Sequence, residues 1–207
     1  VARQWKIKWK GITFITKLMG FKHTGVFPEQ AANWEWMMKR IGGYKGKFSV
    51  LNLFGYTGGA TLACAKAGAS VVHVDASKGM TMQCKENAKL SGLGEARIRY
   101  IVDDAFKFVE REIRRGNIYQ GIIMDPPSYG RGPGGQVWKL ENSVYDLIGN
   151  CARLMDRTSD FMLINSYTTG LQPTVMANML KMNIRLKGNV TADEIGIAQE
   201  KGDIILP

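Results

Sequence analysis

The sequence predicts a doubly wound α/β fold, a mostly parallel sheet with helices on both faces, and three observations carry that prediction. Short apolar runs repeatedly finish in an acidic residue, a glycine-bearing turn joins one such run to a helical pattern, and another run delivers Asp125-Pro126-Pro127-Ser128-Tyr129 into a loop. Strands buried on both faces read as continuous apolar runs, and in such sheets ligands bind in the crevice outside the strands' carboxyl ends.

Taken in order, residues 1–24 alternate aromatic and basic side chains. Trp5, Trp9, Phe14 and Phe21 interleave with Lys6, Lys8, Lys10, Lys17, Lys22 and His23, a pattern that predicts a strand pair with a basic face. Next, Pro28 suits a first helical turn, and Ala31, Trp34, Met37, Met38 and Ile41 share a helical stripe that Gly42-Gly43 closes. The apolar run from Ser49 then meets Phe54-Gly55-Tyr56-Thr57-Gly58-Gly59 and a helical pattern through Lys66. Glycines in such a turn permit tight turning and close approach of a ligand, and the following helix directs unpaired N–H groups at the loop. The spacing is not Gly-x-Gly-x-x-Gly, so an ordinary strand-to-helix connection stands beside a nucleotide-cofactor turn as its explanation.

Ser70–Asp75 is a second apolar run, and Ala96–Val102 a third that runs into Asp103-Asp104-Ala105. Asp75 at a strand tip can accept hydrogen bonds from both hydroxyls of a ribose; Asp75 and Asp104 equally suit the N-caps of the helices that follow. The fourth strand, from Gln120, ends at Asp125. Neither Pro126 nor Pro127 can donate to a ladder, and the residue before a proline is held extended, so Asp125 is fixed at the tip while Tyr129 offers a flat stacking face. Gly130–Gly135 is too glycine-rich for regular structure and is expected to form a lid, with Arg131 in reach of a phosphate. Leu140, Val144, Leu147, Ile148, Cys151, Leu154 and Met155 trace one helical face, Phe161–Ile164 is the fifth strand, ending at Asn165–Thr169, and residues 183–207 read loosely as strand, loop and strand.

The 207 residues, 45% hydrophobic and 22% charged, suffice for a full core, and no stretch approaches a membrane span. Cys64, Cys84 and Cys151 show neither a pairing pattern nor metal-ligand spacing, which makes a reducing, cytoplasmic setting the default. A net charge of +10 favours a polyanionic partner, with nucleic acid leading. Beyond the first basic cluster lie Lys39, Arg40, Lys45 and Lys47, then Arg111, Arg114 and Arg115, whose place at a helix end is also explained by the helix dipole.

Together these residues resemble the class I S-adenosylmethionine-dependent methyltransferases, and within them the ribosomal RNA large-subunit methyltransferase-like group, over about Gly25 to Tyr167. Gly25-Val-Phe-Pro-Glu-Gln-Ala31 resembles that group's Gly-x-Phe-x-Asp-Gln-Arg segment, with Gln30 matching, Glu29 a conservative change and Ala31 in place of the arginine. The resemblance implies a Rossmann-like, seven-stranded sheet and S-adenosyl-L-methionine as cofactor. It also implies that Gln30, Asn52, Phe54, Gly55, Tyr56, Thr57, Gly58 and Gly59 surround its methionine part, Asp75 and Ala76 its ribose, and Asp104 and Ala105 its adenine, with Asp125, Pro126, Pro127 and Tyr129 at the transferred methyl. RNA, ribosomal above all, becomes the expected partner, with monomer and homodimer both open. Residues 1–24 are then a basic strand pair, or the end of a further domain, and 25–207 a methyltransferase domain cut short at its C-terminus.

Methylating cytosine at carbon 5 requires a thiolate to attack carbon 6. In the cytosine-methylating members the cysteine follows the fourth or fifth strand, where this chain has Ser128, Asn165 and Ser166; its own cysteines fall on helical patterns. Transfer to a base nitrogen is therefore expected, ahead of an oxygen. Asn-Pro-Pro-Tyr is the amine-methylating signature of the wider superfamily, and here Asp125 replaces its Asn and Ser128 is inserted, so a guanine ring nitrogen stands beside an exocyclic amine as acceptor. Two other readings share parts of the pattern: a nicotinamide-dependent oxidoreductase, and a catalytically silent RNA-binding module on the same scaffold.

Overall fold

The computed structural model describes residues 4–18, 23–132, 134–168, 170–202 and 205–206. Phe21 and Lys22 of the first basic cluster, Pro133 of the expected lid, and Thr169 lie outside the described residues.

Strands β1 (Gln4–Trp9) and β2 (Ile12–Lys17) pair antiparallel, Gln4 opposite Lys17 and Trp9 opposite Ile12. Lys10 and Gly11 join them with φ of 43° and 77°, the left-handed backbone of a two-residue hairpin turn. A single 3-10 turn over Pro28–Gln30 leads into α1 (Ala31–Gly43). Strand and helix then alternate through β3 (Ser49–Leu53), α2 (Gly59–Lys66), β4 (Ser70–Asp75), α3 (Lys78–Leu90), β5 (Ile98–Val102), α4 (Ala105–Arg114) and β6 (Gly121–Met124). A hairpin of β7 (Tyr129–Arg131) and β8 (Val137–Lys139) precedes α5 (Leu140–Ala152), β9 (Phe161–Ile164), α6 (Pro173–Asn183) and the two-residue strands β10 (Ile197–Ala198) and β11 (Ile205–Leu206).

The parallel sheet has the order β5-β4-β3-β6-β9. Seven strands were expected, and the described residues put five in this sheet. Residues 187–195 have no continuous apolar run to fill a further central strand, and β10 and β11 pair only with each other. α6 lacked a forecast altogether, although Pro173 at its start and Met176, Met179 and Leu180 at helical spacing signal it.

Alternate residues of each strand feed two cores, as a doubly wound sheet requires. Leu51, Leu53, Ile122 and Met124 face Phe108, Val109, Leu147 and Ile148 on one side, while Val50, Val71 and Ile123 face Trp34, Met37, Ile41 and Leu62 on the other. The strand pair is docked on the second core. Phe14, expected to interleave with surface lysines, is fully buried there, leaving Lys6 and Lys8 of β1 as the exposed basic residues of that strand. β2 finds its outer hydrogen-bond partners on α3: Thr13 N donates to Ser91 Oγ and Ile15 N to Asn87 Oδ1, each at 2.9 Å, and Gln83 Nε2 donates to Ile15 O at 2.9 Å. Gln83, Asn87 and Ser91 recur every four residues along α3 and its C-cap, so one helix face stands in for a neighbouring strand and satisfies backbone groups that burial would otherwise orphan.

Candidate active site

Strand order reverses at β3: the chain moves outward to β4 and β5, then returns to β6 on the other side. The crevice beyond the carboxyl ends of β3 and β6 is thus the topological switch point where such sheets take ligands. A cavity opens there, and Phe27, Gln30, Asn52, Tyr56, Asp125 and Asn165 are among its lining.

The loop leaving β3 is held in an unusual conformation. Phe54 and Tyr56 have φ of 56° and 50°, and Gly58 has 96°. Left-handed backbone at two aromatic residues is unfavourable by about 1–2 kcal/mol each, so surrounding contacts must fix it. They do: Tyr56 N donates to Asp75 Oδ2 at 2.8 Å, Gly55 N to Val74 O at 3.0 Å, Asn87 Nδ2 to Thr57 O at 3.0 Å, and Thr57 Oγ1 to Gly25 O at 2.5 Å. Asp75 also accepts from Ser77 N at 2.8 Å, and Ser77, not Asp75, caps α3. Burial raises the Asp75 carboxyl above its ordinary range against the opposing effect of these two N–H donors. Oδ2 and Oδ1 each accept one of these backbone bonds, which leaves lone pairs for hydroxyls.

The glycines turn the chain, as the positive φ of Gly58 shows, and they also make room for neighbouring side chains. A β-carbon on Gly55 would collide with the His73 ring, on Gly58 with Cys84 Sγ, and on Gly59 with the Trp34 ring. At Gly55 and Gly59 the close packing of protein side chains requires glycine, and at Gly58 the left-handed backbone requires it as well.

Opposite this loop, Asp125 ends β6. Burial and the nearby Glu29 charge raise its carboxyl to about 7. Pro126 is buried, whereas Pro127, Ser128 and Tyr129 are exposed, so Tyr129 offers an open aromatic ring after the Asp-Pro-Pro turn. Gln30 is buried, with both ends of its amide bonded: Nε2 donates to Tyr167 Oη at 2.8 Å, and Oε1 accepts from Asn33 at 3.0 Å and Asn165 at 3.1 Å. Tyr167 in turn donates to Glu29 Oε1 at 2.7 Å, and its ring lies 5.4 Å from that of Phe27, which is 5.7 Å from Tyr56. Sequence reasoning reached Gln30 but missed Asn33 and Tyr167. The available signal was their place in segments already marked as strand-end and pre-strand loops.

The expected irregular lid is a hairpin in its described part. Gly130 and Gly132 fit beside Pro127 and Asp104, and Trp138, unremarked in the sequence, anchors the hairpin. Its ring lies 5.0 Å from Phe54, and its Nε1 donates to Pro127 O at 2.6 Å, tying the Asp-Pro-Pro turn to the β3 loop. Trp138→Phe is expected to keep the ring packing and lose this bond, lowering stability by about 1 kcal/mol in urea denaturation; an unchanged midpoint would show the bond to be idle.

Asp104 is the N-cap of α4, accepting from Lys107 N at 3.0 Å; Ala105 is packed in the core beneath, and Ala76 is half-buried beside Asp75. Three of the seven residues in the later basic clusters are paired with carboxylates. Arg111 pairs with Asp103, Arg115 with Glu112 at 2.7 Å, and Arg40 forks onto Asp160 at 2.8 and 2.6 Å.

The fold and this crevice define a nucleotide-cofactor α/β enzyme with an Asp-Pro-Pro edge. A family profile described as S-adenosylmethionine-dependent methyltransferase matches residues 2–141, and the chain belongs to that family. It is similar to ribosomal RNA large subunit methyltransferase I of Photobacterium profundum, 32% identical over 151 residues, covering 72% of this chain and 34% of that protein. The same enzyme of Aeromonas salmonicida is 31% identical over 124 residues, 59% of this chain and 30% of the relative. The chain thus spans about a third of the length of these curated relatives. Among solved structures, the S-adenosylmethionine-dependent methyltransferase from Agrobacterium tumefaciens matches with a TM-score of 0.86 and 38% identity, over 88% of this chain and 59% of that one.

Proposed function

We propose that this chain binds S-adenosyl-L-methionine at the β3–β4 edge and transfers its methyl group to a base nitrogen of RNA, ribosomal RNA first, in the cytoplasm. The observation that carries the reading is the placement of Asp125 at the switch point, across the crevice from the strained Phe54–Gly59 loop.

The residues present fit the cofactor. Asp75 offers a carboxylate with unused lone pairs for ribose hydroxyls, Asn52 lines the inner cavity, and the faces of Phe27 and Tyr56 with the Asp125 carboxylate suit a sulfonium cation. The cofactor supplies an electrophilic methyl group. Asp125, raised to about 7 by burial and the Glu29 charge, is poised to accept the proton that an acceptor N–H releases as its nitrogen gains the methyl. Tyr129, 53% exposed, is placed to stack a splayed base.

Carbon-5 chemistry is disfavoured by the cysteines. Cys64, Cys84 and Cys151 are all fully buried in packed elements outside the cavity, and burial raises each thiol, Cys64 to about 12. The polyanion reading rests on the net charge of +10 and on Lys6 and Lys8 exposed along β1. In this reading residues 1–24 meet the RNA and residues 25–207 carry the transfer.

Incubating the protein with tritium-labelled S-adenosylmethionine and unmodified ribosomal RNA, then digesting to nucleosides, is expected to give one labelled purine or exocyclic-amine product. Label in 5-methylcytidine would overturn the nitrogen assignment. Titration with S-adenosylhomocysteine and with NAD is expected to give heat for the first alone. Salt-sensitive RNA binding without label transfer would make the chain a silent RNA-binding module.

A further inference from the structure

His73 is the least explained polar residue of the molecule. It sits in β4 at zero exposure, its ring fills the space under Gly55, and its Nε2 is the one buried side-chain nitrogen or oxygen without a hydrogen-bond partner among the described residues. Burying an imidazole nitrogen without a partner is unfavourable, and the hydrogen bonding of this ring lies at its other nitrogen. Nδ1 lies 2.9 Å from Thr61 Oγ1, and that hydroxyl accepts from Asn52 Nδ2 at 2.8 Å. Asn52 lines the cavity, and all three side chains are buried.

The hydroxyl has one hydrogen, so the chain runs one way at a time. With the Asn52 amide donating to Thr61, the Thr61 hydrogen goes to His73 Nδ1 and the imidazole proton must sit on Nε2. With the proton on Nδ1 the order reverses, and Thr61 donates to the Asn52 oxygen. The tautomer of His73 therefore decides which end of the Asn52 carboxamide faces the cavity. Burial keeps the ring neutral, moving its titration down to about 4. Cys84 Sγ at 3.7 Å from Nδ1 is the other titratable group in contact; its thiol is raised by burial and stays protonated, which also favours Nδ1 as an acceptor. Tyr100 faces the same ring at 6.0 Å between centroids, its hydroxyl likewise raised by burial, and Asp75 closes the strand two residues on.

We propose that Thr61 and His73 are positioning residues that hold Asn52 with its carbonyl oxygen toward the cavity, where it accepts from the ammonium group of the cofactor's methionine part. The inference rests on the cofactor reading above. With Nε2 lacking a partner, the direction of the relay is set from its other end, where the Asn52 amide donates to Thr61 and leaves His73 Nδ1 to accept.

The test compares two ligands on Thr61→Val and Thr61→Ser. S-adenosylhomocysteine carries the amino-acid part; 5′-methylthioadenosine lacks it and keeps the nucleoside. Thr61→Val is expected to weaken S-adenosylhomocysteine about tenfold, the value of one charged hydrogen bond, while 5′-methylthioadenosine binds within about twofold of wild type. Thr61→Ser, which keeps the hydroxyl, restores both. Equal weakening of both ligands would show a purely structural role and overturn the inference while leaving the cofactor site standing. Wild type that binds neither ligand would overturn the cofactor reading and this inference with it. Should the valine variant not fold, nitrogen-detected NMR of the wild-type imidazole decides independently: an Nε2–H tautomer is expected, and an Nδ1–H tautomer refutes the proposed direction.

Discussion

Asp125→Asn is expected to lower methyl transfer by about 10²–10⁴-fold and, above pH 7, to make the protein more stable. The two effects share one cause. The carboxyl is raised to about 7 by burial and by the Glu29 charge, so the folded protein holds its proton more tightly than the unfolded chain does. For a group raised on folding, the linked stability is fully present below the unfolded carboxylate range and is lost as pH climbs from about 4 toward 7. The wild-type melting temperature should therefore fall over that window, and the asparagine variant should not share this fall. Activity moves in the opposite direction, rising as the carboxylate becomes available to accept a proton. Glu29→Gln should shift the rising limb of the rate profile to lower pH, because it removes a neighbouring negative charge. Thermal melts at pH 5 and 8 with single-turnover rates across the same range check both arms. Full activity of Asp125→Asn would return Asp125 to the role of a hydrogen-bond acceptor that an amide can fill.

What the sequence disclosed of this fold follows from what kind of interaction sets each element. β4 and β9 have the limits their apolar runs suggested, because burial on both sheet faces leaves a continuous apolar trace, and α2 ends at Lys66 as its pattern indicated. The short hairpin at Tyr129–Lys139 was invisible for the opposite reason. Its strands are three residues long, largely exposed, and held by one indole anchored through Phe54 and the Pro127 carbonyl, a contact no local pattern announces.

The site divides in the same way. Asp75 and Asp125 were legible because an acidic residue at the end of an apolar strand is rare enough to be informative, and the structure separates Asp75, which braces the glycine loop, from Asp104, which caps a helix. Gln30 was legible as a position but not as a hub: Asn33 reaches it from the next helical turn, while Asn165 and Tyr167 arrive from the loop after β9. The positive φ of Phe54 and Tyr56 was unreadable, since aromatic residues give no signal of left-handed backbone; only the ring of hydrogen bonds from Asp75, Val74 and Asn87 creates it.

Gly58→Ala is the substitution expected to damage the fold most. At φ 96° the added methyl incurs left-handed strain of about 1–2 kcal/mol, and it would overlap Cys84 Sγ, with the Cys84 β-carbon at 3.1 Å and its backbone at 3.5 Å behind it. Cys84 is fully buried in α3, whose next turn carries Asn87, and Asn87 holds both Ile15 and the Thr57 carbonyl. A shift that relieves the overlap must therefore move either α3 away from β2 or the loop away from β4. Overpacking of this kind adds about 1–3 kcal/mol, so a total near 3 kcal/mol is expected, about 6–12 °C in melting temperature for a domain of this size. Cys84→Ala removes the sulfur and leaves the β-carbon, so the double variant should recover most of the steric part and none of the backbone part. A double-mutant cycle separates them: coupling near zero would mean that backbone strain alone explains the loss and that Cys84 yields without resistance. Because Gly58 N also donates to Gly55 O at 3.0 Å and Gly58 O accepts from Leu62 N at 2.8 Å, the same variant should weaken S-adenosylhomocysteine and 5′-methylthioadenosine together, in contrast to the selective loss at Thr61.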